Sequence, residues 1–113
     1  MKIAVTAKGN DLDAPMDPRF GRAQAFFIWD SETKTGHVID NSAGVNAAGG
    51  AGVTAAQTMS QAGVTVVITG HAGPKAFSGL QASGIDVYLA QEGTIRQVIE
   101  AFEAGTLEKQ TSV

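Results

Sequence analysis

The feature that most constrains the fold is an almost unbroken run of β-branched residues near the middle of the chain, Val64-Thr65-Val66-Val67-Ile68-Thr69. A run with so few polar positions predicts a central strand buried on both faces, as in the parallel sheets of α/β proteins. Glycines follow at positions 70 and 73, and Pro74 then stands at a predicted first helical position, where a missing N–H costs nothing. The run therefore predicts a strand that passes through a tight turn into a helix.

Further strands are predicted by β-branched and aromatic content at residues 3–7, 25–30, 37–40 and 85–89. One helix is predicted from the helical spacing of Val53, Ala56 and Met59, and another from residue 74 to residue 84. A last helix begins at the capping box formed by Thr94 and Gln97. The order βββαβαβα predicts an α/β fold with a mixed five-stranded sheet flanked by helices, in a ribonuclease-H-like layout.

Length and composition limit the class of protein. The 113 residues predict a single domain over residues 1–113, with residues 105–113 as a frayed tail. Hydrophobic residues make up 43% and charged residues 17%, which is typical of globular chains. The net charge of -3 gives no reason to expect binding to nucleic acid or to anionic membranes. We find neither the apolar stretch of a signal peptide nor a run of the ~20 residues that would span a bilayer, and we expect a cytoplasmic protein.

The chain contains no cysteine. It therefore cannot hold an iron–sulfur cluster by the usual four-thiolate ligation, and it has no thiol nucleophile. Two-metal nuclease chemistry needs carboxylates clustered on the central strands, and the first strand carries none. Neither histidine has a serine partner at a suggestive spacing. The sequence therefore favours binding over catalysis, and we expect the protein not to be an enzyme.

The strongest candidate site is the turn that contains Gly70, His71, Gly73 and Lys75. It follows a buried strand and opens a helix, which is where open α/β sheets bind ligands. Backbone N–H groups at a helix start favour an anion, and Lys75 adds a full positive charge. His71 can donate a hydrogen bond or ligate a metal through its imidazole. The alternative is a tight turn whose histidine only points into solvent.

Two further segments carry candidate residues. The loop before the second strand contains Arg19 and Arg22, whose planar guanidinium groups suit oxyanions or sulfide-rich anions. The alternative role of Arg19 is an ion pair with one of the aspartates in the same loop. Residues 50–55 satisfy the G-x-G-x-x-A dinucleotide pattern through Gly50 and Gly52. That pattern should directly follow a strand, and here it does not, so a flexible, backbone-exposing segment is the better interpretation.

Three stretches together resemble the dinitrogenase iron–molybdenum cofactor biosynthesis family. They are Asp17-x-Arg19-Phe20-Gly21-Arg22-Ala23, Gly50-x-Gly52 before a helix, and Val66-Val67-Ile68-x-Gly70-x-x-Gly73-Pro74-x-Ala76. The similarity extends from residue 3 to residue 102, and these motifs occur in the family's order and spacing. Position 71 departs from the family pattern, because a histidine stands where an aliphatic residue is more usual.

The resemblance implies a carrier or assembly factor for molybdenum–sulfur cofactors in a ribonuclease-H-like fold without nuclease activity. For a cysteine-free chain it implies non-covalent binding of a molybdenum–copper sulfide cluster, or of a related molybdenum–iron–sulfur cofactor. It also implies partner proteins that form a cofactor-handling complex. The departure at His71 is of interest because imidazole suits copper. A nucleotide- or phosphate-binding regulatory module that uses the same helix start is the alternative.

Overall fold

A mixed sheet forms the centre of the protein. The computed structural model describes residues 1–45 and 50–112, and within them the sheet has six strands in the order β3-β2-β1-β4-β5-β6. The strands are β1 (Lys2–Ala7), β2 (Ala25–Asp30), β3 (Thr35–Asp40), β4 (Val66–Thr69), β5 (Asp86–Leu89) and β6 (Glu108–Lys109). The first three pair antiparallel, β4 and β5 continue the sheet parallel to β1, and β6 runs antiparallel to β5.

Helices cover both faces of this sheet. They are the one-turn α1 (Ser42–Val45), α2 (Ala51–Gln61), α3 (Pro74–Ala82) and α4 (Ile95–Glu103). One face packs against α2 and α3, where Met59 and Leu80 are fully buried with Val67. The other face packs against α4, whose buried residues Ile95, Val98 and Ile99 form the apolar stripe expected from their spacing. The central strands are therefore covered on both sides, which explains why polar and apolar residues do not alternate along β4.

The structure confirms the α/β class and the mixed sheet. It also confirms the predicted order βββαβαβα for the strands and the longer helices up to α4. The sheet has six strands and not five, because residues 108–109 pair with the open edge of β5. The expectation of a frayed tail at 105–113 is therefore wrong for this pair and for Gln110, which is 4% exposed. Residue 113 lies outside the described residues. The ribonuclease-H-like layout stays a prediction.

Local details also differ from the sequence prediction. The third strand begins at Thr35, so the hairpin turn is shorter than expected and Gly36 lies inside the strand. Val53 was expected to belong to the buried stripe of α2, yet it is 41% exposed. Helix α2 begins at Ala51 and buries Ala55, Ala56 and Met59, which places Val53 on the outer side of its first turn. Small residues thus form most of the buried face of α2.

Candidate functional site

A cleft of about 650 Å³ opens where the first turns of α2 and α3 meet the loop that precedes β2. Its walls are formed by residues 18–22, residues 50–53, and residues 71 and 73–76. Strand β4 runs parallel to β1, and both end beside this cleft. The cleft therefore lies outside the carboxyl ends of adjacent parallel strands, the usual place for ligands in open α/β sheets.

The first wall is fixed by a buried carboxylate, Asp17, whose side chain is inaccessible to solvent. Its Oδ1 accepts hydrogen bonds from the backbone N–H of Arg19 at 2.9 Å and from Arg19 Nε at 3.1 Å, and its Oδ2 accepts from Nη2 at 3.0 Å. The backbone N–H of Asp17 donates to the carbonyl of Thr6 at 2.8 Å, and the Thr6 hydroxyl donates to the carbonyl of Asp17. The loop is thus attached to the end of β1.

Arg19 is consequently an ion-pair partner within the loop. Its hydrogen bonds to Asp17, and the charge of that carboxylate, raise the pKa of the guanidinium further. The side chain is 62% exposed, so it remains at the rim of the cleft while Asp17 compensates its charge. Arg19 therefore has the ion pair that was one of its two expected roles, together with a place in the cleft wall.

The next two residues of this wall serve packing. Phe20 is 2% exposed and contacts Phe26, with ring centroids 5.9 Å apart. A Cβ atom on Gly21 would lie 2.7 Å from the backbone nitrogen of Gly52, so only glycine lets the loop approach the start of α2 so closely. The buried side chain of Asn41 donates to the carbonyl of Gly21 at 3.1 Å. These contacts hold the loop against α2.

The other walls are two helix starts that lack side-chain caps. Gly50 is the N-cap of α2 and Gly73 is the N-cap of α3, and neither helix has a capping hydrogen bond from a side chain or an acidic residue in its first turn. The first N–H groups of a helix have no intrahelical partner, and the helix dipole adds partial positive charge there. Both helix starts line the same cleft, so their polarities add in favour of an anion.

The turn between β4 and α3 is attached to the Asp17 loop. His71 pairs with Arg19 in an isolated parallel β-bridge, and its side chain is exposed at the cleft. Gly70 is not a lining residue. A Cβ atom there would lie 2.6 Å from the carbonyl oxygen of Pro18, so this glycine permits the close approach of the two segments. Its role in the structure is therefore to bring His71 to the cleft.

The structure brings together the predicted site residues other than Gly70. Arg19, Arg22, His71 and Lys75 supply the ionisable side chains of the lining, and Gly50, Gly52 and Gly73 supply backbone. Sequence reasoning missed Val53, whose exposed side chain lies at the cleft, and the buried amide side chain of Asn41, which holds the loop through the carbonyl of Gly21. Amide side chains buried between loops leave no periodic signal, so only the fold reveals them.

The ionisable side chains among the described lining residues are all basic. Among the described lining residues there is no carboxylate, and Lys75 makes no ion pair with any described residue. The described residues also include no group of three or more His, Cys, Asp and Glu side chains that could hold a metal ion. The backbone N–H groups and basic side chains of this lining suit an anion. No helix in the described part of the chain is long and apolar enough to cross a membrane.

Comparison with known proteins agrees with the resemblance noted in the sequence. The chain is 38% identical over 112 residues to protein MJ0580 of Methanocaldococcus jannaschii, covering 96% of this chain and 91% of that protein. The structure is similar to the apo form of the orange protein from Desulfovibrio gigas, with a TM-score of 0.95, 43% identity, and coverage of 98% and 93% of the two chains. The structure is also similar to the NMR structure of a protein of the DUF35 family from Thermotoga, with a TM-score of 0.88, 34% identity, and coverage of 99% of this chain and 95% of that one.

The family match extends through the segments that build the cleft. The dinitrogenase iron-molybdenum cofactor family matches residues 1–105, which include the Asp17 loop, both helix starts and the turn at His71. The family and the structural neighbours support a cofactor-associated binding or carrier role. This chain belongs to the dinitrogenase iron-molybdenum cofactor family.

Proposed function

We propose that this protein binds and carries an anionic, molybdenum-containing metal–sulfide cluster without covalent attachment, and that it is not an enzyme. The observation that carries the proposal is the meeting of two uncapped helix starts, at Gly50 and Gly73, in one cleft whose described lining has no carboxylate. Such amides donate hydrogen bonds to an anion, and the helix dipoles add attraction. Sulfide ligands of a cluster would accept these hydrogen bonds.

Cationic side chains would supply the rest of the neutralisation. Lys75 stands in the first turn of α3 and is exposed at the cleft, so its ammonium group can approach a bound anion from the helix start. Arg22 lies in the opposite wall and offers planar N–H donors. Arg19 contributes less net charge because Asp17 compensates it. The apolar parts of the cleft, including Val53, would exclude water from the faces of the cluster.

The proposed cargo is a molybdenum–copper sulfide cluster, or a related molybdenum–iron–sulfur cofactor. His71 is the residue that would distinguish a copper-containing cluster, because its imidazole can ligate copper. The cluster would be received from, and delivered to, partner proteins of a cofactor-handling complex in the cytoplasm. Non-covalent attachment suits transfer, since no thiolate bond has to be broken when the cluster leaves.

Reconstitution tests the proposal directly. Purified protein is mixed anaerobically with tetrathiomolybdate and Cu(I) and then separated by gel filtration. We expect metal to elute with the protein and new charge-transfer bands to appear in its optical spectrum. Lys75→Ala should weaken retention, whereas Lys34→Ala, which removes an exposed lysine in the β2–β3 turn, should not. Absence of retained metal in the wild-type protein would contradict the proposal.

Variants at position 71 separate the possible roles of the histidine. If His71 ligates copper, His71→Ala should leave the fold intact and weaken retention, and wild-type binding should weaken on acidification because a protonated imidazole cannot ligate metal. If it serves only as a positive donor, binding should strengthen on acidification and His71→Lys should restore part of the loss. Equal retention by wild type and His71→Ala at two pH values would assign the residue to neither role.

A nucleotide- or phosphate-binding module is the second candidate, because uncapped helix starts also bind phosphate. Thermal shift measurements with ATP, NAD and phosphate, compared with thiomolybdate, distinguish the two. A ligand at ~100 times its dissociation constant stabilises the folded state by ~2.7 kcal/mol. A shift with thiomolybdate alone supports the cluster carrier, and a shift with a phosphate compound alone supports the alternative. A third possibility, a protein-interaction domain, predicts no shift with any of them.

A further inference from the structure

The C-terminal segment reaches the cleft wall through one buried side chain. Gln110 is 4% exposed, and its Nε2 donates to the carbonyl oxygen of Ala72 at 2.8 Å. Its Oε1 accepts from the backbone N–H of Ala72 at 3.1 Å. The backbone N–H of Gln110 in turn donates to the carbonyl of Val87 at 2.8 Å, which continues the pairing of β6 with β5. One amide side chain thus joins the edge of the sheet to the turn at the cleft.

The residue that Gln110 holds stands between two lining residues. Ala72 is fully buried, and its neighbours His71 and Gly73 both line the cleft. No other hydrogen bond to the backbone N–H or carbonyl of Ala72 occurs among the described residues. Without Gln110, these two polar groups would be left unpaired in a buried position, which native structures avoid. The turn would then have to shift to expose them to water.

We infer that Gln110 is a positioning residue of the cleft. By fixing the peptide groups on both sides of Ala72, it sets the direction of the His71 side chain and the place where α3 begins. The backbone donors of that helix start are the groups that the proposed function assigns to the anion, so this inference rests on that function. Gln110 touches no lining surface of the cleft itself and acts through Ala72.

The matched control is a second glutamine that bonds a backbone carbonyl. Gln81 Nε2 donates to the carbonyl of Ile85 at 2.9 Å, near the end of α3 that lies away from the cleft. Gln110→Ala and Gln81→Ala therefore remove the same kind of side chain in two places. Gln110→Met is a third variant, because it fills similar space without making either hydrogen bond.

Two measurements are made on the full chain: the hydrogen-exchange rate of the Ala72 amide, and the affinity for tetrathiomolybdate with Cu(I). We expect Gln110→Met and Gln110→Ala to accelerate exchange at Ala72, while the Ala90 amide, which bonds the carbonyl of Thr69, stays protected. Loss of a residue that orients a metal ligand typically lowers metal affinity by about 10–100-fold, and by analogy we expect a loss in this range. Gln81→Ala should change neither quantity.

The outcomes separate this inference from the proposed function. Failure of the wild-type protein to retain metal would contradict the proposed function, but the exchange rate of Ala72 would still test the positioning by Gln110. Unchanged exchange at Ala72 in Gln110→Met would overturn the inference whatever the affinity. Faster exchange together with unchanged affinity would also overturn it, because the turn would then be held for stability alone.

Discussion

Removal of the Arg19 side chain should destabilise the fold more than removal of the Asp17 side chain, although the two side chains share the same two hydrogen bonds. The asymmetry follows from exposure, which is 0% for the Asp17 side chain and 62% for that of Arg19. In Arg19→Ala, a buried carboxylate keeps only the backbone N–H of residue 19 as its partner. In Asp17→Ala, the backbone N–H of Arg19 loses its acceptor, but the exposed guanidinium that is left behind is hydrated by water.

The two costs can be estimated separately. Breaking an ion pair whose two charges are both buried costs about 3–5 kcal/mol; Arg19 is 62% exposed, so we take the lower end, about 3 kcal/mol, for leaving the buried Asp17 carboxylate without its guanidinium. Loss of a hydrogen bond to a charged group costs about 1.5–3 kcal/mol, and we again take the lower end, about 1.5 kcal/mol, for Asp17→Ala because water hydrates the exposed partner. At roughly 4 °C per kcal/mol for a domain of this size, Arg19→Ala should lower Tm by roughly 12 °C and Asp17→Ala by roughly 6 °C.

Urea unfolding followed by circular dichroism measures these values, and a double-mutant cycle isolates the pair. We expect the Asp17→Ala, Arg19→Ala double variant to be nearly as stable as Asp17→Ala alone, because no buried charge remains in either. The matched control is Arg96→Ala with its partner Asp13, an ion pair in which both side chains are more than half exposed. That pair should contribute less than about 1 kcal/mol. A destabilisation by Arg19→Ala no larger than that of Asp17→Ala would refute the reasoning.

Three further perturbations test separate parts of the structure. Gly21→Ala places a Cβ atom 2.7 Å from the backbone nitrogen of Gly52, so the loop and α2 must move apart. We expect the free energy of unfolding to fall by about 1–3 kcal/mol in urea unfolding, and cluster retention to weaken in gel filtration. Thr94→Ala removes the capping box of α4 and should cost about 1 kcal/mol without affecting retention; an effect on retention would contradict the separation of α4 from the cleft. The backbone N–H of Glu32 donates to the Asp30 carboxylate, and this hydrogen bond lowers the pKa of Asp30 in the folded state. The ionised carboxylate therefore stabilises the fold at any pH above the usual aspartate pKa of about 3.9. That stabilisation is lost as the pH falls through the lower pKa of Asp30 in the folded state. The stability gap between wild type and Asp30→Ala should therefore close below about pH 4, and a gap that stayed constant on acidification would contradict this assignment.

The order of elements could be predicted from the sequence because its signals are local. The β-branched run of β4 and the capping box of Thr94 with Gln97 each depend on residues within a few positions of one another. The helix start between Gly70 and Lys75 was predictable for the same reason, since a strand end, glycines and a proline define it. The prediction missed β6, because a strand of two residues has too few positions to show a pattern.

Only the tertiary structure decides which of these local features act together. The sequence alone does not show that the starts of α2 and α3 face one cleft, since more than 20 residues separate Gly50 from Gly73 and an entire strand intervenes. It also does not show that Arg19 pairs with Asp17 and with no other aspartate of the loop, because only the packed loop buries that carboxylate. The hydrogen bonds of Gln110 to Ala72 join residues 38 positions apart. Such contacts depend on how the sheet and helices pack in space, and residue spacing along the chain carries no signal for them.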